Sequence, residues 1–429
     1  MSLAPATVDL LPRLLSGVGE RSMVALEEHV AVHGPLPDLR EMAPEQLIET
    51  VESAGLRGHG GASFPVGRKM RAVASRRRMA VVVANGAEGE PASKKDRVLL
   101  RETPHLVLDG AAVAARAVGA RSAIVAVASD DERGLRSLDT ALRERRDARL
   151  RTDPKFELFE IEPCYLAGQE SALVAALNGG SAKPTFGPRP FERGVRRRPT
   201  LVQNVETLAH VGLIVRHGAA WFRELGTPSN PGSALVTVSG EVASPGVYEI
   251  DHGMPLAELL DSVRVRSPLA AVLVGGYFGT WLPAGVVSEV RLASESLADY
   301  GATLGAGVIV ALGPDACPVA ETSTVAEFFA AESAGQCGPC VHGLGAIANT
   351  VHQLAAGTAG RTALGDLDRW TRDLHRRGVC QHPDGAVRFI TSALRTFEPE
   401  FRDHARRGPC DRCARPAVLP APVRDRLNG

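Results

Sequence analysis

The sequence carries no excess of charge of either sign: 49 Lys and Arg are matched by 49 Asp and Glu over 429 residues. The basic surplus that draws a chain to nucleic acid is absent, so that class of partner is excluded. Long apolar runs are absent too. The longest uncharged stretch, Ser267 to Ser288, is broken by glycines and Pro283 and reads as strands and turns, which argues against direct membrane insertion. Met1 to Gly17 is interrupted by Asp9 and Arg13 and lacks the plan of an export signal. The expected location is the cytoplasm, with peripheral attachment to a membrane complex left open. Cysteine is scarce over most of the chain, only Cys164 preceding residue 317. In a reducing compartment disulfides are disfavoured, and the crowding of Cys317, Cys337, Cys340, Cys380, Cys410 and Cys413 into the last third points to metal or redox chemistry. Lysine is rare beside arginine and alanine is abundant, a coding bias without functional meaning.

What is present is organised around Gly55-Leu56-Arg57-Gly58-His59-Gly60-Gly61-Ala62-Ser63-Phe64-Pro65-Val66-Gly67-Arg68-Lys69. Its glycines leave backbone N–H groups bare enough to approach a phosphate or a flat ring, and Lys69 supplies a positive charge. The stretch follows a helical pattern at 44–51 and not an apolar strand, so it differs from a standard dinucleotide fingerprint. A glycine-rich surface turn is the competing reading.

Downstream, Met79 to Ala84 reads as a buried strand ending in Asn85-Gly86-Ala87-Glu88-Gly89-Glu90-Pro91, polar residues where open α/β sheets bind ligands. Asp96 to Val118 reads as helix interrupted at Pro104, Ser122 to Val127 as a second buried strand followed by a charged helix, and Phe156 to Ile161 as a third strand. This alternation predicts an α/β layer. Residues before Leu56 read as a helical lead-in carrying Leu10, Leu11, Leu14 and Leu15. The strand-like stretches at 232–240, 245–248, 271–274 and 307–312, with a short helix at 255–263, are compatible with a small ubiquitin-like β-grasp domain. From about Ala320 the pattern turns helical, four helices suggesting a bundle, with Cys337-x-x-Cys340 at the start of the second and Cys380 just before the last. The implied boundaries are 1–229, 230–315, 316–400 and a cysteine-bearing tail, 401–429.

Five ordered stretches, the glycine loop, Asn85 to Asp96, Tyr165 to Leu173, Pro199 to Leu208 and Glu332 to Cys340, resemble the motifs of the flavin-bearing NADH-oxidising subunit of respiratory complex I and the related diaphorase subunits of hydrogenases and formate dehydrogenases. The resemblance implies an FMN cradle lined by Gly58, Gly60, Gly61, Lys69, Asn85, Glu88, Gly89, Tyr165, Gly168, Glu170, Gln203 and Asn204. It implies that Phe64, Glu90, Lys183 and Phe186 serve NADH, with Glu90 at the catalytic site although hydride transfer itself needs no acid or base. It also implies a [4Fe–4S] cluster on Cys337, Cys340 and Cys380. The expected partner is a separate electron carrier or oxidoreductase subunit, a ferredoxin-like or thioredoxin-like iron–sulfur protein.

Departures from the family pattern stand beside the matches. Ala87 and Gln169 replace carboxylates, Ser63 a glycine, His59 an arginine, and Ala72 the second aromatic of the adenine sandwich. Ala334 replaces the first cluster cysteine, so a fourth ligand has to come from Cys317, Cys410, Cys413 or a histidine such as His382, or the cluster keeps an open iron; three thiols without metal is the plain alternative. Cys410-Asp411-Arg412-Cys413 lies beyond the resemblance and is open to four readings: fourth ligand, part of a zinc site, redox pair or inert tail. Three functions follow: NADH oxidation through FMN and iron–sulfur, the same chemistry reversed or with another donor, and a non-catalytic assembly subunit.

Overall fold

The apolar run before Asn85 forms strand β1 (Ala80–Gly86), and the run at 122–127 forms β2 (Ala120–Ala128). In the computed structural model, which describes residues 11–420, β3 (Lys155–Ile161) and β4 (Thr200–Asn204) join them in an all-parallel sheet of order β3-β2-β1-β4. The chain steps outward from β1 to β3 and then returns to place β4 on the other flank of β1. A reversal of this kind opens a crevice at the carboxyl ends of the two central strands. Register sets Asn85 opposite Asn204, so two side-chain amides arrive there side by side.

Helices cover the sheet as its apolar strands require. Pro104 divides Lys95–Glu102 from Pro104–Val118, because proline has no N–H to continue the ladder. The Pro104–Val118 and Val205–His217 helices approach so closely that a Cβ on Gly110 would fall 1.7 Å from the Leu208 carbonyl oxygen. Beside them Asp109 is buried, and Arg145 Nη1 and His29 Nε2 each lie 2.7 Å from its carboxylate, which Arg216 also meets.

The N-terminal lead-in differs from the helical expectation. Helices run over Leu26–His33 and Pro44–Ala54, but residues 11–25 are turns and bends. The reason is a competing acceptor: buried Glu249 receives the N–H groups of Arg13, Leu14 and Leu15 at 2.8, 2.8 and 3.1 Å, donors that a longer helix would need. Leu10 lies outside the described residues.

The second sheet contains β5 (Ser233–Gly240), β6 (Gly246–Asp251), β7 (Ala271–Val274), β8 (Thr280–Pro283) and β9 (Val308–Leu312) in order β6-β5-β9-β7-β8. Only β5 and β9 pair in parallel. A helix, Leu256–Ser262, lies between β6 and β7 in the chain. The β7–β8 turn reaches the helical end, where Phe278 occupies the space a side chain at Gly385 would fill and the Trp281 N–H donates to Ser392 Oγ at 3.2 Å.

Among the described residues that end has five α-helices, not four: Pro318–Ala331, Leu344–Ala356, Ala363–Leu374, His382–Thr396 and Glu398–Arg407. The fifth buries only Phe401 and His404, which leaves little apolar periodicity to read, and it crosses the expected boundary at residue 400. Among the described residues no helix is long and apolar enough to cross a membrane.

Candidate active site at the sheet switch point

Gly55 ends the Pro44–Ala54 helix in left-handed backbone, φ 75°, and turns the chain into the glycine loop. The loop closes on itself, with the Gly58 N–H donating to the Phe64 carbonyl at 2.9 Å and the Val66 N–H to the Leu56 carbonyl at 3.0 Å. His59 N–H ties its tip to Thr207 Oγ1 at 2.9 Å. Gly60 packs beside Asn204, whereas a Cβ on Gly61 would meet nothing within 4 Å; at φ 95° that position suits glycine and leaves bare backbone next to the crevice. Ser63, in a glycine's place, keeps left-handed backbone (φ 49°) and accepts from Arg57 Nε at 3.1 Å.

The polar residues of the crevice hold one another. Asn85 Nδ2 donates to the Gly168 carbonyl at 2.8 Å, and Asn204 Nδ2 donates to Asp96 at 2.6 Å while its oxygen caps the following helix through the Glu206 N–H. Lys69 Nζ donates to the Val202 carbonyl at 2.7 Å and to Glu170 at 3.2 Å. Glu88 turns away from the crevice to the start of the Lys95–Glu102 helix, accepting from Ser93 Oγ and from the N–H groups of Asp96 and Arg97. Gly89 and Gly168 permit backbone packing, Gly89 on Cys164 and Tyr165, Gly168 on the Ala87 carbonyl.

Sequence reasoning missed a buried ion group behind the loop. Lys95 Nζ lies 2.7 Å from both Asp96 and Glu206. Burial opposes its charge, yet Asp96, Glu206 and Glu88 hold its pKa above the ordinary lysine value. Burial, then neighbouring His252 and Lys95, keep the His59 imidazole neutral, so the positive charge here belongs to Lys95. Two facts together could have signalled it: the Lys95-Asp96 pair ends the Asn85 to Asp96 motif, and His59 stands where the family resemblance expects an arginine. A cavity of about 160 Å³ adjoins this group between the loop and the second sheet; of the expected cofactor residues it touches only Gly58 and Gly61.

Glu90 and Tyr165 reach toward the rest of the molecule. The Tyr277 N–H, from the β7–β8 turn, donates to Glu90 at 3.1 Å, and the Tyr165 hydroxyl faces the same carboxyl. Burial pushes the Glu90 carboxyl up to about 7. The Tyr165 ring stands edge-on to Phe278, Phe328 and His382, with centroids 5.0, 5.3 and 5.7 Å away. Its backbone N–H donates to Glu332, two residues before Ala334. Phe64, Lys183 and Phe186 lie outside this buried part, the two rings 53% and 70% exposed.

FMN can be tested against what remains unpaired. Gln203 is 6% exposed and its Nε2 has no protein partner, a costly state unless a ligand accepts from it. With the bare loop at Gly61 and the half-buried Lys69 ammonium, the donors fit a ring edge and a phosphate. For the cluster, Cys337, Cys340 and Cys380 lie near enough to influence one another's thiols, Cys340 on the irregular turn Pro339–Gly343. Ala334, which the resemblance places at the fourth position, is buried, and its backbone lies against Cys340. Three of the four substitutes are drawn elsewhere: Cys317, Cys410 and Cys413 gather around His404. His382 has Nε2 on the Phe329 carbonyl at 2.9 Å and Nδ1 buried without a partner.

Crevice, glycine loop and cysteines define a flavin- and iron–sulfur-bearing oxidoreductase component. Residues 51–213 match the Nuo51 FMN-binding domain, 235–264 the SLBB domain and 320–404 the NADH-ubiquinone oxidoreductase-F iron-sulfur binding region. The second F-type subunit of NADH-quinone oxidoreductase in Rhizobium meliloti is 33% identical over 387 residues, 87% of this chain and 91% of that protein. The NAD-reducing hydrogenase HoxS subunit alpha of Cupriavidus necator is 34% identical over 399 residues, 88% of this chain and 65% of that longer protein. A crystal structure of an NAD+-reducing [NiFe]-hydrogenase in the H2-reduced state superposes with a TM-score of 0.83 at 33% identity, covering 92% of this chain and 67% of the other. The chain belongs to the family of F-type subunits of NADH-quinone oxidoreductase.

Proposed function

We propose that this chain binds FMN in the switch-point crevice, oxidises NADH there and passes the electrons through an iron–sulfur centre to a separate oxidoreductase subunit. One observation carries the reading: the glycine loop, Asn85, Asn204 and a buried, unpartnered Gln203 Nε2 converge where the parallel sheet reverses its order. When bound, FMN supplies the exchange between a two-electron hydride and single electrons. The chain supplies orientation. Gly58, Gly60 and Gly61 admit the cofactor to the backbone, Lys69 faces its phosphate, and Gln203 donates to its ring edge. Asn85 and Asn204 are fixed by Gly168 and Asp96, while Glu88, Gly89, Gly168, Glu170 and Tyr165 support the wall. Phe64, Lys183 and Phe186 offer an exposed platform and a cation to NADH, with Glu90 beside the nicotinamide.

Cys337, Cys340 and Cys380 supply three thiolates to the cluster, whose fourth corner at Ala334 is open to an external ligand. Tyr165 and His382, in contact with each other, lie between the flavin wall and Cys380. Residues 230–315 are read as the β-grasp unit, supported by the order β6-β5-β9-β7-β8, the parallel β5–β9 pair and the SLBB match. The flavin unit then covers 1–229 and the cysteine-bearing helices 316–400, continuing into the tail at 401–429. A cytoplasmic site of action, peripheral to any membrane complex, is part of the same reading. Ala334, Ala87, Gln169 and Ala72 favour a second reading, a subunit that keeps the fold and FMN without NADH turnover. A third runs the chemistry toward NAD, as the name of the hydrogenase relative suggests.

The test is to load the protein with FMN, reconstitute iron and sulfide without oxygen, add NADH and follow the visible flavin band. Bleaching within the mixing time is the expected outcome. An unchanged band on flavin that dithionite still reduces would remove NADH as donor.

A further inference from the structure

Cys317, His404, Cys410 and Cys413 come from three separate segments: the residue preceding the Pro318–Ala331 helix, the Glu398–Arg407 helix, and the turn Asp411–Ala414 with the residue before it. Their donor atoms all lie within 4.8 Å of one another. Cys413 Sγ is 3.3 Å from Cys317 Sγ and 3.8 Å from Cys410 Sγ; His404 Nε2 is 3.6 Å from Cys317 Sγ and 3.9 Å from Cys413 Sγ. A tetrahedral zinc ion, with Zn–S of about 2.3 Å and Zn–N of about 2.0 Å, separates its donors by roughly 3.5–3.8 Å. A cubane cluster spreads its thiolates farther apart, since each binds a different iron. The spacing is that of donors sharing one ion.

The surroundings point the same way. His404 Nδ1 faces the Leu354 carbonyl at 3.1 Å, and donation there leaves the Nε2 lone pair aimed at the sulfurs. Metal-binding histidines are commonly oriented by such an outer partner. Cys317 and His404 are 2% and 4% exposed. Three thiolates around a dication leave one negative charge, and Arg412 lies beside Cys410 while Nη1 donates to the Pro314 and Ala316 carbonyls at 3.1 and 3.3 Å.

We infer that Cys317, His404, Cys410 and Cys413 form a closed Cys3His site for a single zinc-type divalent ion, separate from the cysteines of the iron–sulfur region. Four protein donors leave no open coordination position, which makes the site structural and not catalytic. It ties the first and last helices of the helical end to the tail. The tail continues over the same helix, where the Val418 and Leu419 N–H groups donate to Glu321 at 2.8 and 2.9 Å.

The experiment uses the full chain, purified from zinc-supplemented medium without iron reconstitution and analysed for metals. About one zinc per chain is expected, retained through dialysis against a mild chelator. Cobalt exchanged into the wild-type protein should show the intense visible bands of a tetrahedral thiolate site, a readout that requires no variant to fold. Cys410→Ala/Cys413→Ala should lose the zinc and expose the tail to protease while keeping its FMN. A Cys337→Ala/Cys340→Ala/Cys380→Ala variant should keep the zinc. Zinc-free wild-type protein, zinc retained in the tail variant, or an iron–sulfur chromophore surviving in the triple variant would each overturn the assignment.

Discussion

The helical end holds two cysteine groups built on opposite plans. Cys317, Cys410 and Cys413 with His404 form a complete donor set crowded around one point. Cys337, Cys340 and Cys380 are a looser set of three, and buried Ala334, its backbone against Cys340, holds the position that the family resemblance gives to a fourth cysteine. Their neighbours differ as well. Around the first lie helix ends and the tail; near the second lie His382 and Glu332, both in contact with Tyr165 on the wall of the proposed flavin crevice. On the proposed reading a closed set would hold chain segments together, whereas an incomplete set next to the flavin crevice would trade security of the metal for a place in electron flow.

The sharpest way to break the comparison is to remove one ligand from the open set. Cys340→Ser is expected to lower bound iron and sulfide at least about tenfold while FMN and zinc stay at wild-type levels. NADH should still bleach the flavin, but reduction of an external one-electron acceptor through the cluster should fail; coincident loss of zinc would show that the groups are not independent. Next in size is Ala334→Cys, which completes the open set. Iron release to a chelator should slow by about an order of magnitude, on the scale by which ligand support usually alters metal retention. An unchanged release rate would mean that another group already fills the corner.

The difference between the groups was only half legible in the sequence. Cys337-x-x-Cys340 and Cys380 stand out because spacing and family resemblance both mark them. The partners of Cys410 and Cys413 do not, since Cys317 is 93 residues away and His404 lies on a charged helix with little apolar periodicity. The flavin side shows the same division. Local signals, the glycine loop and the strand ending at Asn85, were readable, because that strand's apolar run and its polar end are contiguous; the strand Thr200–Asn204 was not, since its apolar run is too short to stand out after an arginine-rich loop. The placement of Glu90 against the Tyr277 N–H depends on how the second sheet docks, 187 residues further along, and no local pattern records that. Resemblance grouped Glu88 with the cradle, while both of its oxygens serve a helix start.

A pH titration sharpens the contrast on the flavin side. Burial raises the Glu90 carboxyl from its ordinary 4.5 to about 7, so between those values the native state holds a proton that the unfolded chain has released. The associated stability is present below about 4.5 and is lost as pH rises through about 7. Glu90→Gln, which cannot ionise, should flatten that part of the pH dependence in urea melts, whereas the Cys410→Ala/Cys413→Ala variant should retain it. A slope unchanged in Glu90→Gln would assign the titration to another group.

The smallest expected effect separates NADH binding from both cysteine groups. Phe64 is exposed at the end of the glycine loop, and Ala72, on the Val66–Ala74 helix, replaces the second aromatic of the family's adenine sandwich. An added aromatic contact contributes about 0.5–1.5 kcal/mol beyond its burial, so Ala72→Phe should lower the KM for NADH by roughly two- to tenfold. Because the gain comes from adenine, distant from the reacting ring, kcat should stay level and the metal content should not change. A KM that does not move would place adenine away from Phe64, and a kcat that falls with KM would show that tighter NADH holding slows product release.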